Sequence, residues 1–159
     1  MSDNVLLESL PARQGPPPKM TPTNPQEQLE QFPPDWQIIS QLADFAFSLP
    51  DVIERPTRVA PDGSRALTLA PHAVGAHRQA LLVDTEFAHI HNPPVGSMHM
   101  TLPESLRTLA LQKGWALRHP FAVRGLGSPD VVFVFAPRNE EELTWAKALL
   151  LASHAYAHR

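Results

Sequence analysis

The chain has 159 residues, 43% of them hydrophobic, which suffices for one folded domain with a true core. Its net charge of −3, with 13 Lys and Arg against 16 Asp and Glu, argues against a nucleic-acid-binding surface. No apolar run reaches the ~18 residues of a membrane-spanning helix, and the first residues lack a signal-peptide pattern. Cysteine is absent, which excludes disulfides and a thiolate nucleophile. We therefore expect a cytoplasmic protein without membrane or nucleic-acid partners, whose oligomeric state the composition leaves open.

The first 34 residues have the composition of a linker. They contain eight of the 18 prolines, set among polar side chains. Such a segment buries too little apolar surface to offset the entropy lost on ordering. We therefore predict a flexible, Pro-rich tail over 1–34 and a folded domain over 35–159. Three leucines of the tail could dock weakly on a partner or on the domain itself, namely Leu6, Leu7 and Leu10.

The folded domain is predicted to begin with a helix that Asp35 caps and Pro50 ends. Strand-like patterns follow at 57–60, 65–70 and 78–84. Further along the chain, the pattern predicts these elements: a helix opened by a capping box at 101–104, a short strand at 115–119, a loop at 120–130, a buried strand at 131–135 and a long helix capped by Asn139. This order predicts an α+β fold, with a mainly antiparallel sheet and three helices packed against it.

Three histidines lie in two short strand-like runs around a Pro/Gly turn, between residues 84 and 101. His89 and His91 are two residues apart, so both side chains leave the same face of a strand. A loop symmetric about Pro94 would pair His89 with His99 and His91 with Ser97. Regular alternation then predicts one polar-rich face and directs Glu86 to the other. The polar-rich face would carry Phe87, His89, His91, Ser97, His99 and Thr101.

The three histidines admit two chemical interpretations. As ligands they would offer three nitrogens to zinc, iron, copper or manganese, with coordination positions left open for substrate or oxygen. As cofactor-free catalysts, one imidazole would deprotonate an acidic enol while the others stabilise the anion. The alternative is structural, because buried histidines are also held by backbone groups alone.

Two further candidates lie near the triad in sequence. Glu86 would reach the histidine face if a β-bulge turned it, and would otherwise pair with Arg78 or Arg118. His119 is either a fourth group at the site or a histidine that stabilises the turn before Pro120.

Three more side chains are candidates for holding a substrate. Trp115 would stack on an aromatic ring unless it belongs to the core. Arg118 and Arg138 would hold an enolate or a carboxylate through the planar guanidinium. For Arg138 the alternative is an ion pair with the acidic run 140–142 at the start of the last helix.

Five blocks between residues 84 and 157 resemble, in order and spacing, the signature of the fungal luciferase domain family. They read EFAHIH, SMHMTLP, KGWALRHP, FVFAPRNEEE and LLLASHAY. The luminous members oxidise a hydroxylated styryl-pyrone with molecular oxygen and use neither flavin nor nicotinamide. The resemblance therefore implies a small-molecule oxidoreductase that uses O₂ and no organic cofactor, without implying light emission.

The resulting expectation is an oxygenase-like enzyme for an enolisable or aromatic substrate. The catalytic candidates are His89, His91, His99 and His119, and the substrate-binding candidates are Arg118, Arg138, Trp115 and Glu86. Two alternatives remain open: a metal-dependent enzyme of another class, such as a hydrolase, that uses the same histidines, and a non-catalytic small-ligand-binding domain.

Overall fold

A six-stranded antiparallel sheet is the frame of the computed structural model, which describes residues 7–159. The strands are β1 (Val52–Pro56), β2 (Arg65–Leu69), β3 (Glu86–Ile90), β4 (Met98–Thr101), β5 (Ala116–Arg118) and β6 (Val131–Val134). The helices are α1 (Trp36–Phe47), α2 (Glu104–Gln112), the single turn α3 (Pro120–Val123) and α4 (Glu140–Ala157). In the sheet the strands run in the order β1-β2-β3-β4-β6-β5, and every neighbouring pair is antiparallel.

The long helices cover one face of the sheet. α4 packs against β3 and β4, and α1 packs against α4. Alternate residues of the central strands, among them Ile90, Met98 and Met100, join the helices in one buried apolar cluster. The predicted α+β class, with a mainly antiparallel sheet and helices packed on it, is confirmed. The opposite face of the same strands is left for polar side chains.

The caps of α1 and α4 follow the sequence prediction. The side chain of Asp35 accepts a hydrogen bond from the backbone N–H of Gln37, and Asn139 accepts one from that of Glu142. The predicted capping box of α2 is absent, because the hydroxyl of Thr101 donates to the carbonyl of Ala80, at 2.8 Å, instead of capping the helix.

Three elements differ from the sequence prediction. The first strand is Val52–Pro56 rather than 57–60, because it lies at the sheet edge and its mostly exposed side chains give no apolar alternation. Residues 78–84 form no strand but contain a 3₁₀ turn at Arg78–Ala80. The stretch 120–130, predicted as a loop, begins with the helical turn α3.

The Pro-rich segment differs most from its prediction. Residues 7–34 pack on the domain, whereas the composition predicted a flexible tail over 1–34. Leu10 is 3% exposed, the indole N–H of Trp115 donates to the carbonyl of Pro11 at 2.7 Å, and the amide oxygen of Gln28 accepts the backbone N–H of Ala136. A few anchors thus order a chain whose prolines already restrict its unfolded state. Leu6 and the residues before it lie outside the described part of the chain.

No helix within residues 7–159 combines the length and the apolar character that crossing a membrane requires.

The docking of the segment is testable through one leucine. Replacing Leu10 by Ala removes a fully packed side chain and should lower the free energy of unfolding by about 2–5 kcal/mol. Leu29→Ala, at a position that is 52% exposed in the same segment, should change it by less than about 0.5 kcal/mol. Urea unfolding of both variants measures the difference. Equal, negligible effects would contradict docking.

Candidate active site: a buried histidine cluster

The β3–β4 hairpin brings three histidine rings together on the sheet face away from the helices. His89 pairs with His99, and the backbone N–H of His91 donates to the carbonyl of Ser97 at 2.9 Å, which confirms the predicted register. The three ring centroids lie 5.0 to 5.1 Å apart. Phe133 of β6 packs against the cluster, with its ring centroid 5.2 Å from that of His99. All three histidines are buried.

A β-bulge in β3 brings a carboxylate to these rings. Leu67 pairs with Ala88 but Thr68 pairs with Glu86, so Phe87 is an extra residue in the ladder. Phe87 consequently turns to the helices, where its ring lies 5.7 Å from that of His154. The regular alternation predicted from the sequence is therefore wrong at these two positions. Glu86 contacts a histidine rather than Arg78 or Arg118.

Four side chains form a continuous hydrogen-bonded row. Oε2 of Glu86 lies 3.1 Å from Nδ1 of His89, and Nε2 of His89 lies 3.0 Å from Nδ1 of His99. At the other end, Nε2 of His99 lies 2.9 Å from Oε1 of Gln26. The amide nitrogen of Gln26 donates to the carbonyl of Arg118 at 3.3 Å, which assigns the amide orientation. With Glu86 as a carboxylate, the carboxylate and amide oxygens accept, and the outer nitrogen of each ring carries a proton.

This assignment leaves the two inner nitrogens facing each other. If both rings are neutral, Nε2 of His89 and Nδ1 of His99 each present a lone pair across 3.0 Å. Two acceptors at that distance repel, and the contact between the rings is satisfied when a proton or a metal ion lies between the two nitrogens. One ring nitrogen from each of the three predicted metal ligands, His89, His91 and His99, lies within 4.8 Å of the other two.

Burial opposes protonation of two of the rings, those of His91 and His99. It lowers the pKa of His91 to about 3, with a further contribution from the neighbouring His89. The pKa of His99 is also well below its ordinary value, mainly because of burial and then because of the adjacent rings. His91 is therefore neutral at pH 7, with its Nδ1 2.8 Å from the hydroxyl of Ser97.

A cavity of about 140 Å³ opens directly on the cluster. His89 and His99 line it, and His119 stands at its wall with a ring centroid 5.0 Å from that of His99. The remaining lining is mostly apolar and includes Val59, Leu82, Phe121, Ala122, Leu126 and Val131. The structure therefore combines a polar, buried floor with apolar walls.

His119 has both of the roles considered from the sequence. Its Nδ1 accepts the backbone N–H of Phe121 at 3.0 Å and so caps α3. A neutral His119 must then carry its proton on Nε2, and burial lowers its pKa, which favours that neutral form. His119 can therefore donate a hydrogen bond to an oxygen atom of a ligand.

The other predicted substrate-binding residues are not brought to this cavity. Arg118 pairs with Val132, whose side chain belongs to the core on the helix face. Trp115 is buried, and the guanidinium of Arg138 binds the carboxylate of Glu142. Trp115 and Arg138 instead line a separate cavity of about 350 Å³ at the start of α4.

Two parts of the site escaped the sequence analysis. Gln26 lies in the Pro-rich segment, 73 residues from the histidine that it contacts, and nothing local signals that contact. Phe121 and Leu126 lie in a stretch that was predicted as a loop. Their apolar character among Gly and Pro was the available signal, because large apolar residues in a loop often mark a binding surface.

The neutral state of buried His91 predicts how stability depends on pH. In the unfolded chain this ring titrates near 6.5, but in the folded protein only near 3. As the pH falls below 6.5 the unfolded state binds the proton first, so stability is lost between those values. His91→Asn keeps an amide N–H for Ser97 but does not titrate.

Between pH 7 and 4.5 the wild type should therefore lose about 1–3 kcal/mol more stability than the variant. Urea unfolding in the presence of a chelator measures this difference. Parallel pH profiles for the two proteins would contradict a buried, neutral His91.

Comparison with known proteins finds a similarity over the region that holds the cluster. Residues 84–153 match the family described as Luciferase domain. Luciferases of Armillaria gallica and Armillaria mellea are each 34% identical over 88 residues, which cover 54% of this chain and 33% of the relative. The luciferase of Neonothopanus nambi is 33% identical over the same length. No solved structure gives a significant match.

The chain thus spans about a third of the length of the curated relatives that it matches. The matched region nevertheless contains the β3–β4 hairpin, α3, β6 and most of α4, and with them all four histidines of the site. Residues 84–153 are thus similar to the family described as Luciferase domain and to luciferases of luminous fungi.

Proposed function

We propose that this protein is an oxygenase-like enzyme that oxidises a small enolisable or aromatic molecule with O₂ in the histidine-lined cavity. The observation that carries the proposal is the buried pair of facing histidine nitrogens at the floor of a mostly apolar cavity. The relatives named luciferase support an oxidation, since that is the reaction class of their name.

The cavity favours a single ring as the reacting part of the substrate. Its volume of about 140 Å³ is close to that of a cavity that accepts benzene, roughly 150 Å³. Phe121 and Leu126 are about half exposed at its rim. A larger substrate would insert one six-membered ring and lay the remainder against these two side chains.

The polar groups suit an enolate. Loss of the acidic enol proton to solvent creates a negative oxygen, and a positive charge between His89 and His99 would stabilise it. The N–H of His119 supplies a second contact to that oxygen. The electron-rich enolate carbon then forms a bond to O₂, and the terminal peroxide oxygen takes up one proton. The sum is addition of one O₂ to one substrate molecule, so no other oxidant or reductant is consumed.

The decisive test is O₂ consumption with a panel of acidic enols, from simple hydroxypyrones to a hydroxylated styryl-pyrone. We expect the wild type to consume one O₂ per substrate molecule. His89→Ala/His99→Ala should lower the rate at least about 100-fold, because it removes the electrostatic stabilisation of the anion. An oxygen electrode and mass spectrometry of the product measure both.

Thermal unfolding of the double variant is the control for its fold. Full activity in a folded double variant would overturn the assignment of the site. Tight binding of the panel compounds without O₂ uptake would replace the proposal by a ligand-binding role.

The shape of the cavity gives a second, independent prediction. Ala122 lines it and is buried, so Ala122→Leu would fill much of the space for a ring. Binding of a single-ring hydroxypyrone should weaken at least about tenfold, since the added side chain overlaps the ligand. Calorimetry measures the affinity.

The matched control for that variant is Val123→Leu, at the neighbouring position, which is 62% exposed and outside the lining. It should leave the affinity unchanged. Equal affinities for the Ala122 variant and the wild type would show that the ring binds elsewhere.

A further inference from the structure

We propose that the histidine cluster is a metal site that holds one divalent transition-metal ion at the floor of the cavity. The ligands are His89, His91 and His99. The proposal concerns the resident group of the site and does not depend on which substrate reacts there.

The hydrogen bonds around the rings favour a cation at this point. The outer nitrogens of His89 and His99 donate to Glu86 and Gln26, so the inner nitrogens are left as two facing lone pairs. A single proton would satisfy those two nitrogens. It would leave the third ring, that of His91, without a reason to converge on the same point.

Each ring also has the outer partner that metal-binding histidines need. A ligating imidazole donates its second N–H to a carboxylate, a carbonyl oxygen or another acceptor, which fixes the ring and its tautomer. Here the partners are the carboxylate of Glu86, the hydroxyl of Ser97 and the amide oxygen of Gln26. The outward nitrogen of each buried histidine is thus occupied, and the three partners form a complete second layer around one point.

The donor set selects the class of metal. Three imidazole nitrogens suit Zn²⁺, Fe²⁺ or Cu²⁺ and are unsuited to Mg²⁺ and Ca²⁺, which prefer oxygen. Metal–nitrogen bonds of 2.0–2.1 Å set ligand nitrogens roughly 3.4 Å apart in a tetrahedral site. The 3.0 Å between His89 and His99 is close to this value, and nitrogens up to 4.8 Å apart require the rings to approach by up to about 1.4 Å. The cavity borders His89 and His99, so an open coordination position would face a ligand there.

The test uses the full chain, purified without a histidine tag, and needs no substrate. The chelated protein is titrated with Co²⁺, Zn²⁺ and Mg²⁺ while thermal stability and, for Co²⁺, the visible d–d absorption are recorded. We expect one equivalent of Co²⁺ or Zn²⁺ to bind and to raise the melting temperature, and Mg²⁺ to have no effect.

Three variants make the result specific. His89→Ala/His99→Ala should lose the absorption and the stabilisation. Gln26→Ala removes only the outer partner of His99 and should weaken Co²⁺ binding about 10- to 100-fold. His72→Gln, which changes an exposed histidine outside the cluster, should bind as the wild type does.

The proposal is overturned if one equivalent of Co²⁺ or Zn²⁺ gives no stabilisation of the wild type, or if the double variant binds equally well. Failure of O₂ uptake would refute the proposed reaction but not the metal site, because binding is read from absorption and stability. Conversely, O₂ uptake by metal-free protein would refute only a requirement for the ion.

Discussion

The structure depends on one local constraint: two imidazole nitrogens that face each other across 3.0 Å inside the protein. This contact is unfavourable between two lone pairs and becomes favourable when a proton or a metal ion lies between the two nitrogens. Three surrounding features position the two rings for this contact. The hairpin register pairs the two rings, the bulge in β3 turns Glu86 towards one of them, and Gln26 holds the other from the opposite side.

The two faces of the sheet differ: one carries the apolar core and the other carries the histidine cluster. On the helix face, Met98 and Met100 pack with α4 in the apolar cluster that stabilises the fold. On the other face the alternate residue, His99, meets its neighbours and opens to the cavity. Side chains alternate along a strand, so close packing on one face fixes the position of the histidine rings on the other. The four-residue strand β4 thus contributes to the apolar core on one face and to the histidine cluster on the other.

Sequence patterns predicted what short-range rules determine. The cap residues of α1 and α4 are local, and the symmetric turn around Pro94 was enough to pair His89 with His99. The bulge was not predictable, because it depends on how β3 aligns with β2 and not on the residues of β3 alone. β1 was misplaced since an exposed edge strand has no alternation to read. The docking of residues 7–34 depends on sparse anchors, which average composition conceals.

The contact between Gln26 and His99 also bears on how the chain folds. It joins positions 73 residues apart, and closing so long a loop costs more chain entropy than closing the β3–β4 hairpin. We therefore expect the hairpin to bring its rings together before the Pro-rich segment docks and supplies the last acceptor. A shortened fragment that begins at residue 84, where the match to the family model starts, would retain every histidine of the cluster yet lack this acceptor. The stretch of chain that completes this row of side chains is accordingly longer than the region matched by the family model.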